Sequence, residues 1–157
     1  MKIFNITKSN FFETTLSKIS PLKLQSDFSM NVTLTTYPKE DYLLIESKGA
    51  IETMEELLAH SQMLWSEIDN PDFKKIMVNE PEIILPQDLF LYFNLVKNYV
   101  DNFPREIYDV KIAVVCSRNY KEVLSSWESV CQSRGLQYFV FTSFEDAINC
   151  FYKDDEE

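Results

Sequence analysis

Few residues of this chain have side chains that commonly do chemistry. The 157 residues include one histidine, His60, and two glycines, Gly49 and Gly135. A single imidazole leaves little material for histidine-based catalysis or for a zinc site, which needs several nitrogen or sulfur ligands. Two separated glycines cannot form a glycine-rich loop that cradles a phosphate. The residue types therefore predict neither a metal nor a cofactor.

The three cysteines, Cys116, Cys131 and Cys150, are widely spaced in apolar surroundings and form no C-x-x-C pair. Cys131 and Cys150 fall late in predicted helices, where the helix dipole disfavours a thiolate. We expect three buried free thiols in a reducing compartment. This favours a cytoplasmic protein and argues against cysteine catalysis.

The charge balance argues against several classes of partner. The chain has 25 acidic and 15 basic residues and a formal net charge of -10, which repels nucleic-acid phosphates and anionic lipids. No apolar run approaches the roughly 18 residues of a membrane span, so no membrane insertion is predicted. Residues 1–29 are less acidic than the rest and are expected to form an N-terminal extension of one domain at 30–157. Alternatively, Met30 is the true initiator.

From Met30 onward the hydrophobic pattern predicts alternating strands and helices. Alternating side chains over 32–36 and 42–47 predict a hairpin. Helices separate the three further predicted strands, which are 75–79, 110–116 and 137–141. The strand at 110–116 is a continuous apolar run and is expected to be central. Because strands joined through helices run parallel, the order ββαβαβαβα predicts an α/β fold with a mostly parallel five-stranded sheet and an antiparallel N-terminal hairpin.

Local signals mark where the predicted elements begin and end. Thr53 and Glu56 have the spacing of a capping box at the start of the first helix. Gly49 is expected to break the second strand, and Gly135 to end the helix after the strand at 110–116. Ser117 or Asn119 is expected to cap that helix at its start.

The order of elements and several local motifs resemble the STAS domain (sulfate transporter and anti-sigma-factor antagonist), and more closely its small stand-alone bacterial variants. The resemblance covers about residues 30–157. The matching motifs are ESKG at 46–49 leading into TMEEL at 53–57, the strands KIMVN and KIAVVC, and the ending from Arg134-Gly135-Leu136 through FVFTSFEDAINCF. The ending is the most specific, because relatives finish with a glycine, a short strand and a Phe-x-[ST]-x-x-[DE]-A-[ILV] helix. These motifs are signatures of a fold and include no catalytic motif.

The resemblance also points to a regulatory position. In anti-sigma-factor antagonists, a serine at the start of the helix after the third strand is phosphorylated, and its charge decides whether a partner kinase is bound. The matching segment here is NEPEIILP at 79–86, and no serine or threonine occurs between Ser66 and Ser117. The resemblance therefore implies that the serine switch is absent. We expect Glu80 and Glu82 to be solvated loop carboxylates, the alternative being a fixed charge that imitates the phosphorylated state.

A helix predicted from Pro86 to about Val100 carries more apolar residues than one buried face needs. Phe90, Leu91 and Leu95 are expected to form an exposed apolar strip. It could be covered by the N-terminal segment, by a second copy of the chain, or by a partner protein or apolar ligand, in this order of preference because covering within the chain costs least entropy. Together with Glu80 and Glu82, these residues make up the predicted interaction surface.

The 12 phenylalanines and 8 tyrosines suggest an alternative function, since some relatives of this fold resemble CRAL-TRIO lipid-binding domains. A binder or sensor of a small apolar, lipid-like ligand would have a pocket between the 86–100 helix and the sheet. Its predicted lining is Phe93, Val96 and Phe103.

An enzyme would have to rely on carboxylates with no nucleophile or histidine beside them. His60 lies about 100 degrees from the centre of the apolar stripe of the first helix and is expected to be a partly exposed surface residue. We therefore predict a non-enzymatic, protein-binding or regulatory STAS-like domain without the serine switch. Its partner would be an unidentified protein or a second copy of the chain.

Overall fold

A sheet of six strands organises the residues that this computed structural model describes, which are 31–86, 88–89 and 105–153. The strands are β1 Val32–Pro38, β2 Leu43–Ala50, β3 Lys75–Glu80, β4 Ile83–Ile84, β5 Lys111–Cys116 and β6 Gln137–Phe141. Three α-helices occur in the same residues, namely α1 Met54–Ile68, α2 Lys121–Ser133 and α3 Phe144–Cys150. Two short 3₁₀ turns are Arg105–Asp109 and Arg118–Tyr120.

The sheet has the order β1-β2-β3-β5-β6, with β4 paired to the far end of β2. Strands β1 and β2 are antiparallel, and all other pairs are parallel. This confirms the predicted α/β fold with its N-terminal hairpin. The two-residue strand β4 adds to the five predicted strands and is too short to leave a periodic signal. β5 was expected to be the central strand; it is an interior strand between β3 and β6, but the middle position of the five-strand path belongs to β3.

The sequence predicted that Gly49 breaks the second strand. This prediction is wrong, because Gly49 lies inside β2 with a φ of +131°. A Cβ atom at this position would overlap the backbone oxygen of Asn31. Glycine therefore lets the chain before β1 approach β2 closely, and the amide of Ala50 donates to the Asn31 oxygen at 3.2 Å.

The helix boundaries follow most of the predicted signals. Thr53 Oγ1 accepts from the amide of Glu56 at 3.1 Å, and Glu56 Oε2 accepts from the amide of Thr53 at 3.2 Å, which confirms the capping box. Gly135 follows α2 with a φ of +88°, and its amide donates to the carbonyl of Gln132. The predicted Ser117 or Asn119 cap is wrong, since a 3₁₀ turn precedes α2 and Tyr120 is its N-cap residue.

The two faces of the sheet have different neighbours. One face packs against α3 in an apolar group, here called the α3-side cluster. Its buried members are Leu44, Met77, Ala113, Val115, Ala147, Cys150 and Phe151. Residues of the opposite strand phase, including Val78, Ile112 and Val114, face side chains of α1 and α2. The functional candidates lie on this second face.

Candidate functional site

Polar side chains from three elements, β2, α1 and β3, come together in the interior. β2 places Ser47, α1 places His60 and the last position of β3 places Glu80 in one group, here called the polar cluster. They are the buried polar or charged residues among those the structure describes, with 0%, 3% and 7% exposure. Ser47 is in phase with the buried Leu43 and Ile45 along β2, so the pleat turns its hydroxyl toward the interior.

The geometry of the polar cluster leaves one atom unsatisfied. Ser47 Oγ and His60 Nε2 lie 2.7 Å apart and share a hydrogen bond. The same nitrogen lies 3.7 Å from Glu80 Oε2, which is beyond hydrogen-bond distance. Glu80 Oε2 is buried and has no hydrogen-bond partner among the residues that the structure describes. The cluster therefore holds a buried carboxyl oxygen that is unpaired within the described part of the chain.

Burial favours the uncharged form of both ionisable members. Removal from water lowers the pKa of His60 from 6.5 to about 4. The same cause raises the pKa of Glu80 from 4.5 to about 8. At neutral pH the cluster is thus an uncharged imidazole beside a protonated carboxylic acid.

His60 was expected to be partly exposed, and this prediction is wrong. The imidazole can be buried because Ser47, thirteen residues earlier, supplies a hydrogen bond. Sequence reasoning missed Ser47 altogether. Its signal was present, because Ser47 continues the alternation of Leu43 and Ile45 on the buried face of β2.

Glu80 was expected to be solvated, and this prediction is also wrong. It follows Ile76 and Val78 in the inward phase of β3, so its carboxyl enters the interior and does not lie on the predicted interaction surface. Because it is mostly protonated at neutral pH, it does not supply a fixed negative charge there. Glu82 is exposed as expected, and its carboxylate lies 3.4 Å from Lys48 Nζ.

The polar cluster does not have the geometry of a nucleophilic triad. In such a triad the acid bonds the imidazole nitrogen that faces away from the serine. Here the one nitrogen Nε2 is the atom closest to both Ser47 and Glu80. The hydroxyl of Ser47 is fully buried, so a substrate carbonyl could not reach it.

A cavity of about 80 Å³ adjoins the polar cluster, and both His60 and Glu80 line it. Most of its wall is apolar and comes from α1, α2 and the sheet. Representative wall residues are Leu57, Leu64, Val78, Val114, Leu124 and Trp127. Leu89, which also lines the cavity, is buried. The predicted pocket residues Phe93, Val96 and Phe103, like the predicted surface residues Phe90, Leu91 and Leu95, lie outside the described residues.

The short strand β4 presents an apolar side chain to the surface. Ile83 is buried, whereas Ile84 is 59% exposed. The backbone of Ile84 is fixed, because its carbonyl accepts from the amide of Ile51 at 2.8 Å. Lys48 and Glu82 lie beside this strand. Sequence reasoning missed Ile84 because β4 was not predicted.

The cysteines are free and buried, as predicted. Burial raises the pKa of Cys116 to about 11 and that of Cys131 to about 12, so neither thiol is a thiolate at neutral pH. Among residues 31–86, 88–89 and 105–153, no group of three or more His, Cys, Asp or Glu side chains is placed to hold a metal ion. No helix within those ranges is long and apolar enough to cross a membrane.

The fold resembles that of a solved protein. The crystal structure of an anti-sigma factor antagonist from Mycobacterium paratuberculosis superimposes with a TM-score of 0.53 over 80% of this chain and 97% of that chain. The two sequences are 8% identical, so the likeness concerns the fold, which is STAS-like as the sequence motifs suggested. No protein-family model matches the chain, and no curated protein matches it.

Proposed function

We propose that this chain is a non-enzymatic regulatory STAS-like domain that acts by binding another protein, without a phosphorylatable serine as its switch. The domain in this proposal is residues 30–157, with 1–29 as an extension, and it works in the cytoplasm. The solved protein of similar fold is named as an anti-sigma factor antagonist, a regulatory role that is consistent with this proposal.

The observation that carries the proposal is the exposed Ile84, whose backbone pairs with β2 and accepts a hydrogen bond from the amide of Ile51. This side chain lies in the 79–86 segment, which the family resemblance matches to the regulatory serine region. Lys48 and Glu82 flank it with opposite exposed charges. An apolar centre with a charged rim is the common arrangement of protein interfaces. Ile84 would therefore be the anchor of the partner surface.

The chemistry of the polar cluster supports the non-enzymatic part of the proposal. Its serine is fully buried, and its acid does not lie on the imidazole nitrogen that faces away from the serine. These groups stabilise or bind, but they are not placed to attack a substrate.

Quantitative binding tests this function. A partner is first identified by crosslinking in the host, and its affinity for purified full-length protein is then measured by calorimetry. We expect I84D to weaken binding at least tenfold, since a charge in the centre of an apolar contact costs on the order of 1.4 kcal/mol or more. F144D is the matched control, because Phe144 is also exposed, at 39%, but belongs to α3.

Phosphatase treatment of both proteins tests the absence of the switch and should leave the affinity unchanged. The proposal fails if I84D binds as tightly as the unmodified protein, or if neither a partner nor a second copy binds at micromolar concentration.

A further inference from the structure

We propose that the outer edge of β1 is a self-association site, at which β1 of a second copy of this chain adds antiparallel to the sheet. The evidence is a difference between the two edge strands of the five-strand path, β1 and β6. The site does not depend on the proposed partner surface at Ile84, because β1 and β4 pair with opposite sides of β2.

The backbone of β6 is closed to a further strand by side chains of α2. Gln132 Nε2 donates to the carbonyl of Tyr138 at 2.9 Å, and Glu128 Oε1 accepts from the amide of Val140 at 2.8 Å. Lys121 Nζ donates to the carbonyl of Val140. Unpaired groups at such an edge would be a template for another strand. The fold therefore protects this edge of the sheet with its own side chains.

The outward backbone groups of β1 are not protected in this way. Asn31 and Ala50 form a hydrogen-bonded pair at 3.2 Å, and such pairs alternate with non-hydrogen-bonded pairs along an antiparallel ladder. The amides and carbonyls of Val32, Leu34 and Thr36 therefore point away from β2. Among the residues that the structure describes, no strand lies beyond β1 and no side chain bonds these groups. Within that part of the chain, the edge is open to strand addition.

The composition of β1 favours a second copy as the occupant. Residues 32–37, VTLTTY, carry no charge, although the whole chain has a net charge of -10. Exposed edge strands commonly carry lysine or another charge that prevents pairing. Two uncharged copies can lie side by side without bringing like charges opposite each other. A charged peptide would meet no opposite charge on this strand.

The backbone defines one register for the pair. If Leu34 lies opposite Leu34 of the second copy, Val32 lies opposite Thr36, and all outward amides and carbonyls of these residues are paired. A shift of one copy by two residues would set Val32 against Pro38, which has no N–H to donate. The opposite shift would set Thr36 beyond Val32, the first residue of β1.

The side chains fit the same register. Thr33 comes opposite Thr35 of the second copy on the exposed face of β1. Cross-strand threonine pairs stabilise antiparallel strands. On the other face, the half-buried Leu34 of each copy meets its equivalent. The strand is therefore complementary to itself on both faces.

Sedimentation velocity of the full-length protein from about 5 to 500 μM tests self-association, since so small an interface is expected to be weak. We expect a dimer whose affinity rises with salt, because salt screens the repulsion between two chains of net charge -10. Hydrogen exchange of the Val32, Leu34 and Thr36 amides should slow as the dimer forms. The Thr33 and Thr35 amides, which face β2, should be protected at every concentration.

A backbone variant locates the interface. T36P removes one outward N–H and leaves the ladder between β1 and β2 intact, so it should weaken the dimer about tenfold. T36V is the matched control, because it keeps both the N–H and a branched side chain, and it should dimerise like the unmodified protein.

A charge pair tests the register. In a mixture of T33K and T35E, the heterodimer sets the new cation directly opposite the new carboxylate. We expect about threefold enrichment of this heterodimer over random mixing, measured by native mass spectrometry with one variant isotope-labelled. T33K mixed with T33E is the matched control and should show little enrichment, because its new charges are not directly opposed in this register.

Four outcomes would overturn the proposal. A monomer at every concentration would exclude a second copy, and slow exchange of the outward β1 amides in that monomer would show that the chain itself covers the edge. An unchanged affinity in T36P would place the interface elsewhere. Association that weakens in salt would mark a charged interface. Equal enrichment in the two mixtures would contradict the register.

Discussion

Alternate residues of the same strands give the two faces of the sheet different kinds of side chain. Toward α3, residues such as Met77 and Val115 join an apolar cluster with Phe151. Toward α1 and α2, the opposite phase ends in Ser47 and Glu80 and borders a cavity. The buried members of the α3-side cluster are apolar, whereas the other face combines apolar packing with groups whose protons and hydrogen bonds can respond to their surroundings.

The largest effect should come from breaking the α3-side cluster. F151A removes a ring that is 2% exposed and contacts the ring of Tyr42 at a centroid distance of 5.9 Å. We expect it to lower the free energy of unfolding by about 3 to 5 kcal/mol, measured by urea denaturation. F144A, at the exposed first residue of α3, is the control and should change it by less than about 1 kcal/mol. A small loss in F151A would mean that α3 does not cover a packed core.

The polar cluster should make the free energy of unfolding depend on pH. Above pH 6.5, unfolded Glu80 has lost its proton while the folded protein retains it up to about pH 8. The unfolded state then binds fewer protons, so the free energy of unfolding falls as the pH rises. We expect E80Q to remove a decrease of about 2 kcal/mol between pH 6.5 and 8, measured by denaturation at each pH.

His60 acts in the opposite direction at lower pH. Its folded pKa is lowered to about 4, so stability is lost as the pH falls from 6.5 toward 4. The opposing contributions of His60 and Glu80 should nearly cancel between pH 4.5 and 6.5.

E82Q is the matched control for E80Q and should keep the decrease in the free energy of unfolding above pH 6.5. An E80Q profile that superimposes on that of the unmodified protein would contradict a buried, protonated Glu80.

Removing the hydroxyl of Ser47 should have a somewhat smaller effect. S47A leaves the buried His60 without its hydrogen-bond partner, which should cost about 1 to 3 kcal/mol of unfolding free energy. The exposed S66A is the control and should be neutral within about 0.5 kcal/mol. NMR of the imidazole nitrogens should also show loss of the hydrogen bond at Nε2. Unchanged imidazole signals in S47A would argue against the polar cluster.

The smallest effect belongs to the exposed charges near β4. Lys48 and Glu82 are 67% and 69% exposed at 3.4 Å, and a pair of this kind contributes at most about 1 kcal/mol. K48Q should therefore change the unfolding free energy little, and less still in high salt. If K48Q were as costly as S47A, the contrast between a solvated rim and a buried cluster would not hold.

Sequence patterns predicted the parts of this fold that depend on neighbouring residues. The capping box of Thr53 and Glu56, the Gly135 turn and the parallel strands all follow from local spacing. The burial of His60 and Glu80 could not be predicted in the same way, because it depends on Ser47 from another strand and on the phase in which β3 ends. Glu80 is the last residue of β3 and is buried, whereas Glu82 lies in the turn before β4 and is exposed, although the two glutamates are two residues apart in one predicted loop.

The protonation state of Glu80 tests the central contrast between the two faces most directly. Carbon-13 NMR of the side-chain carboxyl, followed from pH 3 to pH 9 and assigned through E80Q, reports the pKa of this one group. Burial predicts a pKa of about 8, well above the ordinary value of 4.5. A titration near pH 4.5 would show that the carboxyl is solvated, and the uncharged polar cluster would then be wrong.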